Sequence, residues 1–385
     1  MKIISNSNMN MLKKNKICSR CIMDTTDEEI FFDDAGFCNH CNNAIERLAK
    51  IPSNKSEKSR LLNKYIDKIK SERKTNDGYD CLIGLSGGLD SSYLAYKVIE
   101  LGLKPLAVHV DNGWNTELSV RNIKNLVLKL DIDLITNVLD WTMFRDLQLC
   151  FLKSSLANCE APTDHAITAT LFTVARKNNL KYIISGGNLA SESIMPKSWG
   201  HYNQDLKLLK SVHKRFGKKK INNFPKISLI DYLINVFIFG IRQIPLLNLL
   251  DYDKEKSLKI LKKNIDFVPY KLKHGESIWT KFFQNYYLPK KFGIDKRKAH
   301  FSSLICSNQL SRDEALIRLK EPLYSSKELE NDLSFILKKL DLSKECFKKI
   351  LKNENKHAWD YPSNYFLFKN LEFLKNHFRD LATKV

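Results

Sequence analysis

The run Tyr79-Asp80-Cys81-Leu82-Ile83-Gly84-Leu85-Ser86-Gly87-Gly88-Leu89-Asp90-Ser91-Ser92 decides the fold. Its first half is apolar enough for a buried strand, and Tyr93 to Leu101 continues at helical spacing. Between them, two glycines permit a tight turn and close approach to an anion. The new helix then presents unpaired N–H groups and its positive dipole end. The unit reads as strand, phosphate loop, helix. No Gly-Lys-Ser/Thr ending follows, so this is not the Walker loop. Ser86, Gly87, Gly88, Asp90, Ser91 and Ser92 are the candidate phosphate contacts.

Working outward, apolar runs and helical periods alternate. Strands are expected at 80–85, 105–110, 134–138 and 181–185, with helices at 91–101, 117–130, 142–156 and 163–178. This predicts an α/β fold, a doubly wound parallel sheet, over residues 77–226. In such sheets ligands sit beyond the carboxyl ends of the strands. Three further loops fall there: Asp111-Asn112-Gly113-Trp114-Asn115, Leu139-Asp140-Trp141, and Ser185-Gly186-Gly187-Asn188. Asp111, Gly186, Gly187 and Asn188 join the nucleotide-binding candidates, and His109 within its apolar strand reads as a core histidine. Thr163, Asp164 and His165 open a helix. They serve either as its cap or as substrate contacts at the mouth of the cleft.

Upstream, Cys18-x2-Cys21 and Cys38-x2-Cys41 are separated by sixteen residues, the spacing of two knuckles closing a tetrahedral four-cysteine site. Residues 1–50 are read as this metal-binding unit, with a structural Zn2+ expected and an iron–sulfur cluster as the alternative. His40, inside the second pair, is not read as a ligand. Residues 1 to about 16 are polar and expected to be mobile, and 51–76 read as linker helices.

Residues 227–385 read as a helical C-terminal region. It opens on an apolar helix pair at 227–250, whose Asp231, Asn235, Arg242 and Pro245 argue against a membrane span. Residues 193–224 read as a mobile basic loop. Farther on, His274 and Glu276 are tentative substrate contacts. Lys291, Arg297 and Lys298 stand in a cationic block interleaved with Trp279, Phe282, Phe283, Tyr286 and Tyr287, and are candidates to stabilise a developing polyphosphate charge.

A chain of 385 residues with net charge +20 suits a polyanion or an acidic membrane surface, but its lysines are dispersed, so nucleic acid is not the expected partner. Nine cysteines in a chain this long make no disulfide scaffold, and no secretory signal is read at its start. A reducing cytoplasm is expected, with at most weak membrane-surface association.

The Ser-Gly-Gly-x-Asp-Ser pattern resembles the PP-loop ATP pyrophosphatases. Together with Cys18 to Asp27, Cys38-Asn39-His40-Cys41, Pro162 to His165, Ser185 to Asn188 and Lys291 to His300, the chain resembles the N-acetyl sugar amidotransferases of bacterial lipopolysaccharide, O-antigen and surface-sugar biosynthesis. The resemblance implies ATP and Mg2+, with Asp90 a candidate to position the ion. It further implies attack of an acetamido oxygen on the α phosphate, release of pyrophosphate, and displacement of AMP by ammonia to leave an acetamidino group. Ammonia is implied to come from a separate glutaminase with a cyclase-like subunit, and no glutaminase nucleophile grouping is seen in this chain. The alternative, a PP-loop tRNA-thiolating enzyme, calls for a further Cys-x2-Cys near the loop, and none follows it.

Overall fold

The computed structural model describes residues 16–73, 78–200, 203–271 and 274–370. Most of the polar tract expected to be mobile, up to residue 15, lies outside them.

Five parallel strands form one sheet: β1 (Cys81–Gly84), β2 (Pro105–Asp111), β3 (Asp133–Val138), β4 (Tyr182–Ile184) and β5 (Arg242–Ile244), in the order β3-β2-β1-β4-β5. The apolar runs are continuous because both faces of the sheet are covered. Cys81 and Ile83 point into one core with Ala107, Tyr182 and Ile184, while Leu82 points into another with Leu106, Val108 and Ile183. The first core is closed by α2 (Lys55–Ser71) and α3 (Leu89–Glu100) through Leu62, Ile66, Ile69, Leu94 and Val98, and by Leu126 of α4 (Glu117–Leu130). The second is closed by α6 (Ala161–Lys177) through Ala169, Phe172 and Ala175. The structure thus has the expected doubly wound sheet, and the chain reverses its direction of winding between β1 and β4.

Two expectations fail here. The stretch 227–250 is not a helix pair. A short helix, Leu229–Leu233, runs into a π turn at Ile234–Ile238, and the chain then returns as β5, a strand that a 77–226 boundary leaves out of its own sheet. Nor is 193–224 a mobile loop. Trp199, Leu208, Leu209 and Val212 are buried, helix Leu206–Phe216 packs on α5 (Trp141–Ser154), and the Lys218 and Lys219 amides donate to Asp146 Oδ2 at 2.9 Å.

A third core joins everything else. Trp114, Phe144, Trp279, Phe282, Phe283, Tyr287 and Phe347 pack there, beside the four N-terminal cysteines and α1 (Asn39–Ala49). The aromatic residues of the late block are therefore core rather than surface, in a segment whose central turn, Phe283–Tyr287, is a π helix.

Candidate active site

The phosphate loop is organised by its serines. Ser86 and Ser91 hydroxyls lie 3.1 Å apart, Gly88 N–H donates to Ser86 Oγ at 3.2 Å, and Ser91 Oγ donates to Gly88 O at 3.2 Å. α3 begins with Gly88 at its N-cap, so no side chain satisfies its first-turn amides, which is the condition for holding an anion. Gly87 has φ +78°, and a Cβ there would stand 2.8 Å from Ser119 O. Gly87→Ala is expected to combine left-handed strain of about 1–2 kcal/mol with that backbone clash. It should weaken nucleotide binding by on the order of tenfold or more, about 1.4 kcal/mol, in a calorimetric titration. Unchanged affinity would remove the loop from the site.

Two tyrosines from beyond the sheet brace the loop: Tyr252 OH donates to Asp90 Oδ1, and Tyr270 OH donates to Gly87 O at 2.8 Å. Burial pushes both phenols up, so each stays a neutral donor. Glu276 Oε1 lies against the loop, 3.3 Å from where a Cβ on Gly88 would stand, with His274 Nδ1 3.4 Å from the same oxygen. The segment reaches this position by pairing with the loop after β2: Thr116 N–H donates to Glu276 O and Ile278 N–H to Trp114 O, both at 3.0 Å. Glu192 and Glu276 line the cavity wall and Asp90 accepts from Tyr252, but among the described residues these carboxylates do not converge as the ligand set of one metal ion.

A cavity of about 1000 Å³ opens over the carboxyl ends of β1, β2 and β4, at the point where the winding reverses. Of the residues singled out in the sequence, Ser86, Ser91, Gly186, Thr163, Asp164, His274, Glu276 and Arg297 line it. Others are close by but serve the frame. Asn188 caps helix Leu189–Glu192 through Ser191 N–H, while Gly186, on the wall itself, packs against the Asp90 backbone, where a Cβ would meet it at 3.4 Å. Asp111 Oδ1 accepts from Gly113 N–H and Asn115 Nδ2, which shapes its own turn.

His165 is not at the mouth of the cleft. It is fully buried, donates from Nδ1 to Asn203 O at 3.0 Å and accepts Ile227 N–H at Nε2, so both nitrogens are used by a neutral ring, and burial lowers its pKa. Two of the three cations expected at the polyphosphate are also turned elsewhere. Lys291 Nζ donates to the Ile350 and Asn353 carbonyls, and Lys298 pairs with Asp24 Oδ2 at 2.5 Å. Arg297 reaches the cavity wall, but Asp295 and the Leu319 and Glu321 carbonyls hold its guanidinium. The positive groups on the wall include instead Lys254, Lys271 and Arg318, which lie outside the quoted motifs, and Lys296, which lies inside the Lys291 to His300 stretch without being singled out there.

His109 does line the cavity, its ring held at both nitrogens: Nδ1 donates to Leu85 O at 2.7 Å and Nε2 accepts from Asn115 Nδ2 at 3.0 Å. Glu160 was missed altogether. It precedes α6, one turn before Asp164, and both carboxylates face the cavity. Glu160 Oε1 accepts from Thr280 Oγ1 at 2.5 Å, and Asp164 Oδ2 from Asn203 Nδ2 at 2.7 Å. Burial first, and the neighbouring Glu160 charge second, push the Asp164 carboxyl up to about 7. Only the i, i+4 relation hinted at this pair.

At the N-terminus, the Sγ atoms of Cys18, Cys21, Cys38 and Cys41 all lie within 4.8 Å of one another and are buried. Cys18–Cys41 at 3.7 Å and Cys21–Cys38 at 3.6 Å are too far apart for disulfides and match the edge of a tetrahedron built on zinc–sulfur bonds of about 2.3 Å. Amides of Arg20, Cys21, Met23, Cys38 and Cys41 point at the sulfurs, as thiolates require. The residues therefore fit zinc. His40 pairs with Asp27 Oδ2, outside the ligand set. The knuckle docks on helix Lys296–Cys306 and its neighbour: Ile22 N–H donates to Ser302 Oγ, and Arg312 donates to the Cys18 and Cys21 carbonyls at 3.1 Å.

Residues 276–375 match the C-terminal domain of the WbpG-like lipopolysaccharide biosynthesis proteins. The chain carries a WbpG-like C-terminal domain. That domain starts at the residue which lies on the phosphate loop, and it supplies Glu276, Lys296, Arg297, His300 and Arg318 to the cavity. No curated protein matches the chain. Among solved structures, NMN synthetase from Francisella tularensis is similar at 15% identity over 57% of this chain and 99% of its own, with a TM-score of 0.28. The NH3-dependent NAD synthetase of Campylobacter jejuni subsp. jejuni follows at 16%, 56%, 99% and 0.27. A predicted subunit of a tRNA methyltransferase from Methanocaldococcus jannaschii gives 15%, 48%, 75% and 0.28. These overlaps are too loose to assign chemistry.

Proposed function

We propose that the protein is an ATP-dependent, AMP-forming N-acetyl sugar amidotransferase of surface-polysaccharide biosynthesis. The observation that carries this reading is a shared cavity, with the phosphate loop on one wall and the WbpG-like domain on the other. An amide oxygen is a poor nucleophile and an amide nitrogen a poor leaving group, so activation as an adenylate is the route to replacing that oxygen. Ser86, Ser91 and the α3 amides hold the phosphates, while Lys254, Lys271 and Lys296 offset the charge of departing pyrophosphate. Mg2+ bound with the triphosphate would neutralise phosphate oxygens, with Asp90 the residue to position it directly or through water. Ionised Asp164 takes a proton from the attacking ammonia, and the enclosed site keeps water from regenerating the amide.

Ammonia is supplied by a separate glutaminase with a cyclase-like subunit. In support, Cys81, Cys150 and Cys159 are buried and their thiols pushed up by burial, the latter two to about 12, which leaves no ready thiolate among them. The same burial weighs against Cys159 as a persulfide carrier in tRNA thiolation. The test supplies ATP, ammonium and diacetamido sugar nucleotides and follows AMP, pyrophosphate and conversion of the sugar to its acetamidino form. All three are expected in equal amounts. Pyrophosphate release stimulated by tRNA and not by sugar would sink the reading.

A further inference from the structure

The segment Leu229 to Phe239 is strongly apolar, with Asp231 its single charge and Asn235 one turn farther on. One side is accounted for: Tyr232 and Val236 pack on the core closed by α6, Tyr232 edge-on to Phe172, and Asn235 is buried. The opposite side holds Ile230, Leu233, Phe237 and Ile238 at helical spacing, and three of them are among the most exposed large apolar residues described: Ile230 at 69%, Phe237 at 79% and Ile238 at 73%. An exposed apolar stripe of this kind belongs against protein or lipid, and only the other side of this segment is in the core. The tip ends at Gly240, φ +67°, which turns the chain sharply back into the edge strand β5.

The surroundings are cationic. Arg176 lies over the Phe239 ring at 4.1 Å, and Arg176, its chain neighbour Lys177, and Lys226 and Arg242, which flank the segment in sequence, are exposed. The carboxylate within the segment, Asp231, accepts from the Ser228 hydroxyl and amide, which lowers its pKa, with Arg176 adding to the effect. Protruding apolar side chains inside a rim of arginine and lysine match the polarity of an anionic bilayer, acyl chains below and phosphate headgroups around. A second copy of this chain fits less well, since each carries a net charge of +20 and would bring the same cationic rim.

We propose that this tip, Ile230 to Phe239, is a membrane-surface anchor that inserts Phe237 and Ile238 among the acyl chains of an anionic bilayer. It does not span the membrane; among the described residues no helix is long and apolar enough to do so. The site is separate from the ATP chemistry, so it stands or falls independently of the proposed activity.

The test is co-sedimentation of the full chain with vesicles of phosphatidylcholine alone and with about 30% phosphatidylglycerol, at low and high salt, alongside a double variant, Phe237→Ser with Ile238→Ser. Binding to the anionic vesicles, weakened by salt, is expected, with the double variant losing at least about tenfold in partition. A second variant, Lys226→Gln with Arg242→Gln, should lose affinity for anionic vesicles while keeping its fold. Circular dichroism and metal content of each variant establish that folding is intact. Absence of vesicle binding, or equal binding by the folded double variant, would overturn the proposal. So would a dimer in sedimentation equilibrium that the double variant dissociates, which would identify a second copy as the occupant.

Discussion

Replacing Cys18 by Ser is expected to remove the metal and to loosen the active-site wall that the knuckle supports. One zinc per chain should be found by elemental analysis in the parent protein and none in the variant. Apparent binding energies of structural zinc reach about 10–16 kcal/mol in isolated fingers, so loss of the metal is expected to be a large effect on the knuckle. The path to activity is short. Cys18 and Cys21 carbonyls accept from Arg312, Ile22 N–H is held by Ser302, and Asp24 pairs with Lys298. Two of these contacts land on helix Lys296–Cys306, which carries Lys296, Arg297 and His300 to the cavity, and the Arg312 pair lands on the helix that follows it. Hydrogen exchange should therefore accelerate in 296–306 as well as in 18–41, and adenylate formation should fall with it. Full metal occupancy in the variant would refute the site, and an unchanged 296–306 would refute the coupling.

Asp164→Asn should separate activity from stability. Loss of a general base typically costs 10²- to 10⁴-fold in rate, so about 100-fold or more is expected in acetamidino product formation, together with loss of the pH dependence near 7. The sign follows from the raised carboxyl. Its ordinary value is 3.8 and its folded value about 7, so Asp164 is ionised in the working enzyme only above about 7, and the rate should rise with pH through that point. For stability, the folded state binds the proton more tightly than the unfolded chain. The penalty of burying the charge is absent below about 4, grows between the two values and is complete above 7. Asp164→Asn should thus raise the melting temperature by several degrees at pH 8 and by almost nothing near pH 4. Because Asn keeps an oxygen for Asn203 Nδ2, the fold should hold. An unchanged rate and pH profile would take Asp164 out of the chemistry.

Much of the frame was legible because its signals are local. The strand before Ser86 announces itself by Cys81-Leu82-Ile83, all buried, and the four-cysteine spacing needs no tertiary information to suggest a closed tetrahedron. What misled were runs judged by composition. Leu229 to Leu250 is apolar for three different reasons: one side of a helix in the core, one face outside, and an edge strand. The basic run Lys214 to Lys220 looks unstructured, yet its amides are claimed by Asp146 and its preceding helix by the core.

By itself the sequence determined where phosphate can be held and where four thiolates can meet, since both depend on backbone geometry and spacing within a few residues. Only the tertiary structure decided which charges face the cavity. Lys298 and Lys296 stand two residues apart on one helix. The helical turn sends Lys298 to Asp24 of the knuckle and Lys296 to the cavity wall, and no pattern in the chain distinguishes them. Glu160 acquires a partner and a shared charge with Asp164 only because α6 begins beneath Thr280, more than a hundred residues away in the chain.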